Sequence, residues 1–356
     1  SLAINPAAAV TSVTDTIDTV TAVLTASGSV NEGTPITYTV TLPNAVTGSP
    51  VTVTLANGEV ITIGIGATSG SVTTTPADNV YAGSSTVTNS IASISGGNFE
   101  HLVASGATIS TTVTDEPVAD VTTVSLSATP SVAEGGSIVY TATLTNAAQT
   151  PVTVTLSNGQ SITIGAGATT GTVSVAAPTD DVYIDAGSVS ATITGASGGN
   201  FESLAINPAA AVTSVTDTID VTTVSLTGSA TVSEGGTGTY TVSLTSPAQG
   251  SDVTVTLNYS GTALNGTDFN GSTTVTIPAG SSSASFSIAT IDDALAEGNE
   301  SFTLTLAGAS GGNFESLVLA GAGSGGDVMT TIVDNDPVPT IASVTSPTVV
   351  EGNDLI

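Results

Sequence analysis

The 356-residue chain has no lysine, no arginine, no cysteine and no tryptophan. Each absence closes off a kind of function. Contacts to phosphate need Lys or Arg, so a nucleic-acid partner is excluded. A P-loop without its lysine and an anion clamp without arginine are excluded in the same way. Without cysteine there is no disulfide staple, no zinc–thiolate centre and no thiol nucleophile. Aromatic residues make up 3% of the chain, so its cores must be small and aliphatic. No apolar run reaches the ~18 residues of a membrane-spanning helix, so no membrane insertion is expected. The one histidine, His101, takes a place held by Ser203 and Ser316 in equivalent segments and reads as a surface substitution. Chemistry would therefore fall to carboxylates and hydroxyls. Paired carboxylates can act as acid and base, but here they recur along the chain rather than gathering once, and the chain reads as not an enzyme.

What is present is acid and strand-forming sequence. Asp and Glu number 29, for a formal charge of -29. Disorder needs low hydrophobicity as well as charge, and 39% of residues are hydrophobic. Val, Ile and Thr dominate, the composition of strands. With no basic side chain to pair them, the carboxylates must be hydrated or neutralised by a cation from outside the chain.

The sequence repeats. Residues 1–18 (SLAINPAAAVTSVTDTID) recur letter for letter at 203–220, and GGNFE stands at 96–100, 198–202 and 311–315. Glu-Gly pairs begin at Glu32, Glu134, Glu234 and Glu351, at intervals of 102, 100 and 117 residues. The organisation read from this is a tail of a preceding repeat (1–18), three repeats (19–118, 119–220, 221–336) and the head of a following one (337–356). The opening SLAINP is neither a start methionine nor a signal peptide, so the chain reads as a piece of something longer.

Within a repeat, runs such as SIVYTATLT and PVTVTLSN alternate apolar residues with Thr or Ser, the two-residue period of a strand. Asn57-Gly58 and Asn158-Gly159 lie between such runs and predict two-residue hairpin turns. Seven or so short strands per repeat predict an all-β fold of tandem immunoglobulin-like sandwiches in a linear array. Tyr38, Tyr140 and Tyr240 share one repeat position, and Phe99, Phe201 and Phe314 another; both sets are read as core anchors.

Most acids fall at three places in each repeat. One is the Glu of Glu-Gly: Glu32, Glu134 and Glu234. The second is a mid-repeat loop with Asp78 in the first repeat, Asp180, Asp181 and Asp185 in the second, and Asp292, Asp293, Glu297 and Glu300 in the third. The last is the junction, with Asp115, Glu116 and Asp120, then Asp217 and Asp220, then Asp334 and Asp336. Charge clusters are usually solvated loop faces. Their recurrence at the repeat spacing and the total lack of Lys favour a bound cation. Hard cations take six to eight oxygen ligands, and flexible loops rich in carboxylates suit calcium better than magnesium. The candidate metal ligands are Glu32, Asp78, Asp115, Asp120, Glu134, Asp180, Asp181, Asp185, Asp217, Asp220, Glu234, Asp292, Asp293, Glu297, Asp334 and Asp336; Glu116 and Glu300 are left out of the set.

The third repeat, with ALNGTDFNGSTTVTIPAGSSSASFSIATIDDALAEGNESFTLTLAG and then VDNDP, resembles a Calx-beta domain, the calcium-binding sandwich of sodium–calcium exchangers. The resemblance implies Ca2+ ligands at Glu234, Asp268, Asp292, Asp293, Glu297, Asp334 and Asp336, and it adds Asp268 to the candidates. The first two repeats, through SVAEGGSIVYTATLTNAAQTPVTVTLSNGQSITIGAGATTGTV, the APTDDVY loop and GGNFE, resemble the extender repeats of large biofilm adhesins of the RTX, type I-secreted kind. That resemblance implies an extracellular stalk on a bacterial cell surface, stiffened by calcium at its joints, whose partners are neighbouring repeats of the same chain. Two other readings stay open: a self-assembling filament or surface-layer subunit exchanging strands with like chains, and a ligand-binding tip. The first two repeats lack the 258–271 insertion that carries Asp268, so their sites are expected to be simpler.

Overall fold

The computed structural model describes residues 1–344. Glu351-Gly352 and most of the expected head of a following repeat lie outside the described residues. The chain divides into two compact units. One comprises Ser1–Ala128, Val139–Val173 and Ser190–Ala211; the other comprises Thr129–Ile138, Ser174–Val189 and the chain from Val212 onward, so the division runs through the second repeat. All regular structure among the described residues is strand.

In the first unit, the first repeat is a complete sandwich. Its outer layer runs Ser69–Thr74, Ile36–Thr41, Thr19–Ala26, His101–Ala104. The facing layer has two parts: Ser29–Asn31 with Ile109–Thr114 and Ser84–Asn89, and Val60–Ile63 with Val51–Leu55 and Ile91–Gly96. Alternation decides which side chains go inside. Ile36, Tyr38 and Val40 turn inward from one layer, while Val51, Val53 and Leu55 turn inward from the other. Thr and Ser take the outward places. The first strand breaks at Ser27–Gly28 and crosses between layers. Thr19–Ala26 pairs in parallel with His101–Ala104, and Ser29–Asn31 in parallel with Ile109–Thr114. The Thr111 hydroxyl donates to the Ser27 carbonyl at 2.7 Å and the Thr112 N–H to that of Gly28 at 3.1 Å, so the break leaves neither carbonyl unpaired. Such breaks account for ten strand segments in each of the first two repeats where seven strands were expected; in the third repeat the short inserted strand Phe269–Asn270 is one of the ten.

The hairpins after Leu55 and Leu156 have three-residue loops, not two. Leu55 N–H reaches the Glu59 carbonyl at 2.8 Å and Gly58 N–H the Leu55 carbonyl at 3.0 Å; Leu156, Gln160 and Gly159 repeat this with the same distances. Only the glycine is left-handed, as a type I turn followed by a bulge requires, so Asn57 and Asn158 stay in ordinary backbone conformations.

In the second unit, the third repeat packs two five-stranded layers. Its strand Glu300–Gly311 runs 12 residues without the interruption that separates Ser84–Asn89 from Ile91–Gly96 in the first repeat, which joins the two parts of the facing layer into one. The inserted segment is pinned by Phe269, which is fully buried and stacks on Phe302 at 4.3 Å and lies 5.2 Å from Tyr259. Tyr240 anchors this core, its hydroxyl bonded to Thr330 Oγ1 at 2.7 Å. Tyr38 and Tyr140 are as deeply buried.

The same 18 residues adopt two states. At 203–220 they form Ser203–Ile206 and Ala211–Thr216, paired in parallel with Val121–Ala128 and Ser131–Ala133. At 1–18 they form no strand. Strand formation here is a property of the pairing partner more than of the sequence.

Candidate metal centre

The carboxylates gather in three groups, each with ligand atoms within 4.8 Å of one another: Asp78, Glu116 and Asp120; Glu134, Asp185 and Asp217; Glu234, Asp293 and Asp336. Ligands held 2.3–2.6 Å from one calcium ion can lie no more than about 5 Å apart, so each group has the span of a shared ion.

In the second group, Glu134 leaves the Glu-Gly turn after Ser131–Ala133, Asp185 comes from the mid-repeat loop, and Asp217 follows Ala211–Thr216. Glu134 is only 6% exposed, and its Oε2 has no hydrogen-bond partner; neither has the buried Oδ1 of Asp217. A hydrogen bond shared with Asp185, then burial, then repulsion from Asp185, Asp217 and Asp181 pushes the Glu134 carboxyl up to about 7. Asp180 accepts a bond from the Thr218 hydroxyl, and Asp181 caps its own loop by accepting the Tyr183 N–H at 2.8 Å.

The first group differs. Glu32, the counterpart of Glu134, accepts the Asn79 N–H at 2.9 Å and the Asn79 side-chain amide at 2.6 Å, both on Oε2. Asn79 stands where the second repeat has Asp181. Asp115 accepts the Gly83 N–H at 3.0 Å and acts as a loop cap. The acids brought together are Asp78 and the junction residues Glu116 and Asp120. Glu116 has a backbone hydrogen bond that lowers its pKa, but burial and repulsion from Glu202, Asp78 and Asp120 prevail and raise it.

In the third repeat, Glu234 is raised chiefly by burial, and Asp336 by burial and then by Asp334. Asp334 is lowered by backbone N–H bonds, from Asp336 at 2.9 Å and Gly298 at 2.7 Å. Asp292 accepts the Asn335 amide at 3.3 Å. Beside this group lies a cavity of about 20 Å³, lined by Glu234, Asp268, Glu297, Glu300 and Asp334 with Ile291, Gly298 and Ile332. That is room for about one water-sized guest. Burial and then Asp268 raise Glu300. The Phe269 anchor holds Asp268 here, and Asp268 also caps the Leu264 N–H at 2.6 Å.

Glu116, Glu300 and the last residue of each GGNFE were passed over in the ligand set. Glu100, Glu202 and Glu315 each accept the backbone N–H of a junction residue: Asp18, Asp120 (2.7 Å) and Asp220 (2.6 Å), in that order. In Glu202 and Glu315 the other carboxylate oxygen is buried without a partner. The signal was available as an acid recurring at a fixed repeat position.

Buried, unpaired carboxylate oxygens on Glu116, Glu134, Glu202, Asp217, Glu315 and Asp336 are costly unless something positive meets them. Among the described residues nothing basic but His101 and the N-terminus exists to do so. The residues present therefore fit a hard divalent cation.

The fold and its acid groups define a tandem array of β-sandwiches that carries candidate cation sites at the ends of its repeats. The chain belongs to the LapA domain family, whose model matches residues 18–116, 120–218 and 220–335. This is the domain of large biofilm adhesins, which makes the chain part of a cell-surface adhesin. No curated protein sequence matches the chain. Among solved structures, the apo-form Calx CBD1 domain is 27% identical, over 33% of this chain and all of that one, with a TM-score of 0.28. CBD12 from CALX1.2 is 12% identical over 58% of this chain and 99% of that one, with a TM-score of 0.25. No helix among the described residues is long and apolar enough to cross a membrane.

Proposed function

We propose that the chain is an extender segment of an adhesin stalk, with calcium bound at the ends of its repeats and stiffening each joint. The observation that carries the reading is Glu134: a carboxylate 6% exposed, with an unpartnered oxygen, grouped with Asp185 and Asp217 in a chain without one basic side chain. Junction residues supply part of each group, so an ion bound there would tie the end loop of a repeat to the segment leaving it. Glu202 and Glu315 would extend that tie into the following repeat through the Asp120 and Asp220 amides. Bound cations would also add stability by mass action and cut the formal charge by two for each ion held. The partners in this reading are adjacent repeats of the same chain.

Calcium titration of the whole chain, followed by small-angle scattering and thermal melting, tests the proposal. A longer maximum dimension and a higher melting temperature are expected. An unchanged dimension together with an unchanged melting temperature would overturn it.

A further inference from the structure

We propose that the turn at Asn98 and Phe99 is an open socket for the Val-Tyr loop of another repeat of this type, and that such repeats join through an aromatic clasp that needs no metal. The clasp is seen twice, once inside each unit. In the first, Tyr81 stacks on Phe201 with ring centroids 5.8 Å apart. The two residues form a single antiparallel bridge, with Ala82 N–H to the Asn200 carbonyl at 3.0 Å and Glu202 N–H to the Val80 carbonyl at 3.0 Å. The Tyr81 hydroxyl donates to the Ala147 carbonyl at 2.9 Å, and the Asn200 amide to the Ala82 carbonyl at 3.2 Å.

In the second unit Tyr183 and Phe314 do the same at 5.5 Å. Ile184 N–H bonds the Asn313 carbonyl at 3.0 Å and Glu315 N–H the Val182 carbonyl at 3.1 Å. The Tyr183 hydroxyl donates to the Pro247 carbonyl at 2.8 Å and the Asn313 amide to the Ile184 carbonyl at 3.1 Å. Plug and socket thus repeat the ring stack, both backbone bonds, the tyrosine hydroxyl bond and the asparagine amide bond.

The GGNFE sequence makes the socket. A Cβ on Gly198 would fall 2.2 Å from the Pro151 carbonyl oxygen, and one on Gly199 2.2 Å from the Phe201 ring, so only glycines let the ring fold back to the joint. Asn200 and Asn313 complete the turn with φ of 57° and 55°, the only left-handed residues other than glycine among those described. Asn tolerates that region better than most residues.

The first repeat has the same five residues at 96–100 but no plug. Phe99 is only partly buried, where Phe201 and Phe314 are 9% and 7% exposed, and Asn98 is not left-handed. The carbonyl for a tyrosine hydroxyl is in place at Ala45. The bonds of Val46 to Ala67 and Gly66 reproduce those of Ala148 to Ala168 and Gly167. The occupant follows from the sequence. Residues 1–18 duplicate the stretch that in the second repeat runs from its own socket to its junction, and the loop of that repeat is the plug Asp181–Val182–Tyr183–Ile184. The third repeat has Asp293–Ala294–Leu295–Ala296 at that position and offers no tyrosine. It can receive a plug but not give one, so a run of clasped repeats ends there.

The test adds residues 121–202 ahead of Ser1, which residues 1–18 complete into a second-repeat sequence in register. Hydrogen exchange at the Glu100 amide is compared between the extended and original chains, with calcium and with EDTA. The proposal expects exchange at least 10-fold slower in the extended chain under both conditions, and loss of that protection when the added copy of Tyr183 is changed to Ala. Within the original chain, Tyr81→Ala is expected to speed exchange at the Glu202 amide by a similar factor, and Tyr81→Phe to speed it less. Equal exchange at Glu100 in both chains, protection that survives the Ala change, or protection seen only with calcium would each overturn it.

Discussion

Asn79 places two N–H groups on one oxygen of Glu32, at 2.9 and 2.6 Å, where the second repeat sets Asp181 near Glu134. One residue thus replaces a demand for positive charge with a neutral donor. Asn79→Asp removes the side-chain bond to a charged acceptor, a loss of about 1.5–3 kcal/mol, and adds a like charge. In EDTA the variant should melt lower than the parent, and millimolar calcium should narrow the gap. A deficit of the same size in both conditions would show that the new carboxylate does not recruit a cation.

The raised Glu134 carboxyl gives metal-free stability a pH slope of definite sign. Its folded pKa of about 7 lies above the ordinary 4.5, so the folded state holds the proton more tightly. The favourable contribution is fully present below about 4.5 and is lost as pH rises through 7. Glu116, Glu234, Glu300 and Asp336 are raised and act in the same direction; Asp334 is lowered and acts against them. Urea midpoints in EDTA should therefore fall between pH 5 and pH 8, and Glu134→Gln should flatten part of that slope. Calcium should reverse the trend, since it competes with protons for the raised carboxyls. A midpoint that rises with pH in EDTA would contradict the geometry of the second group.

Phe269 connects packing to site. It is fully buried against Phe302 and directly follows Asp268, whose carboxylate acts on Glu300. Phe269→Ala should cost about 3–5 kcal/mol of stability in the third repeat and weaken cation binding there, while leaving the second group's affinity unchanged. Calorimetric calcium titration of the whole chain reads both effects. Normal binding in the third repeat of a destabilised variant would separate the anchor from the site.

Glu202 has one oxygen on the Asp120 amide at 2.7 Å and one buried without a partner. Glu202→Gln keeps an acceptor for the amide and removes the charge, whereas Glu202→Ala removes both. The Gln variant should melt close to the parent in EDTA and gain less from calcium. The Ala variant should be weaker in both conditions. If the Gln variant gains as much from calcium as the parent, Glu202 is a structural cap alone.

The strand pattern was legible where one face of a strand is buried, as in Ile36–Thr41, where burial forces Tyr38 and Val40 inward and Thr37 and Thr41 outward. The hairpin loops were misjudged by one residue, since Asn-Gly is compatible with two turn families and only the Leu55–Glu59 pairing distinguishes them. Phe201 and Phe314 are buried core anchors, Phe314 within the core cluster of the third repeat; each also stacks on a tyrosine of the preceding repeat, of which intra-repeat periodicity carries no trace. The acid loci were visible in the recurrence. Which acids meet was not: Glu116 joins Asp78 and Asp120 from the junction, and Glu300, the first residue of Glu300–Gly311, lines the cavity beside the third group.

The most direct measurement is anomalous diffraction from crystals of the whole chain grown with calcium. Peaks should lie within about 2.6 Å of carboxylate oxygens in the groups of Asp78, Glu116 and Asp120, of Glu134, Asp185 and Asp217, and of Glu234, Asp293 and Asp336. Crystals grown at saturating calcium and pH 8 that show none of these peaks would contradict the claim that cations supply the charge this sequence lacks.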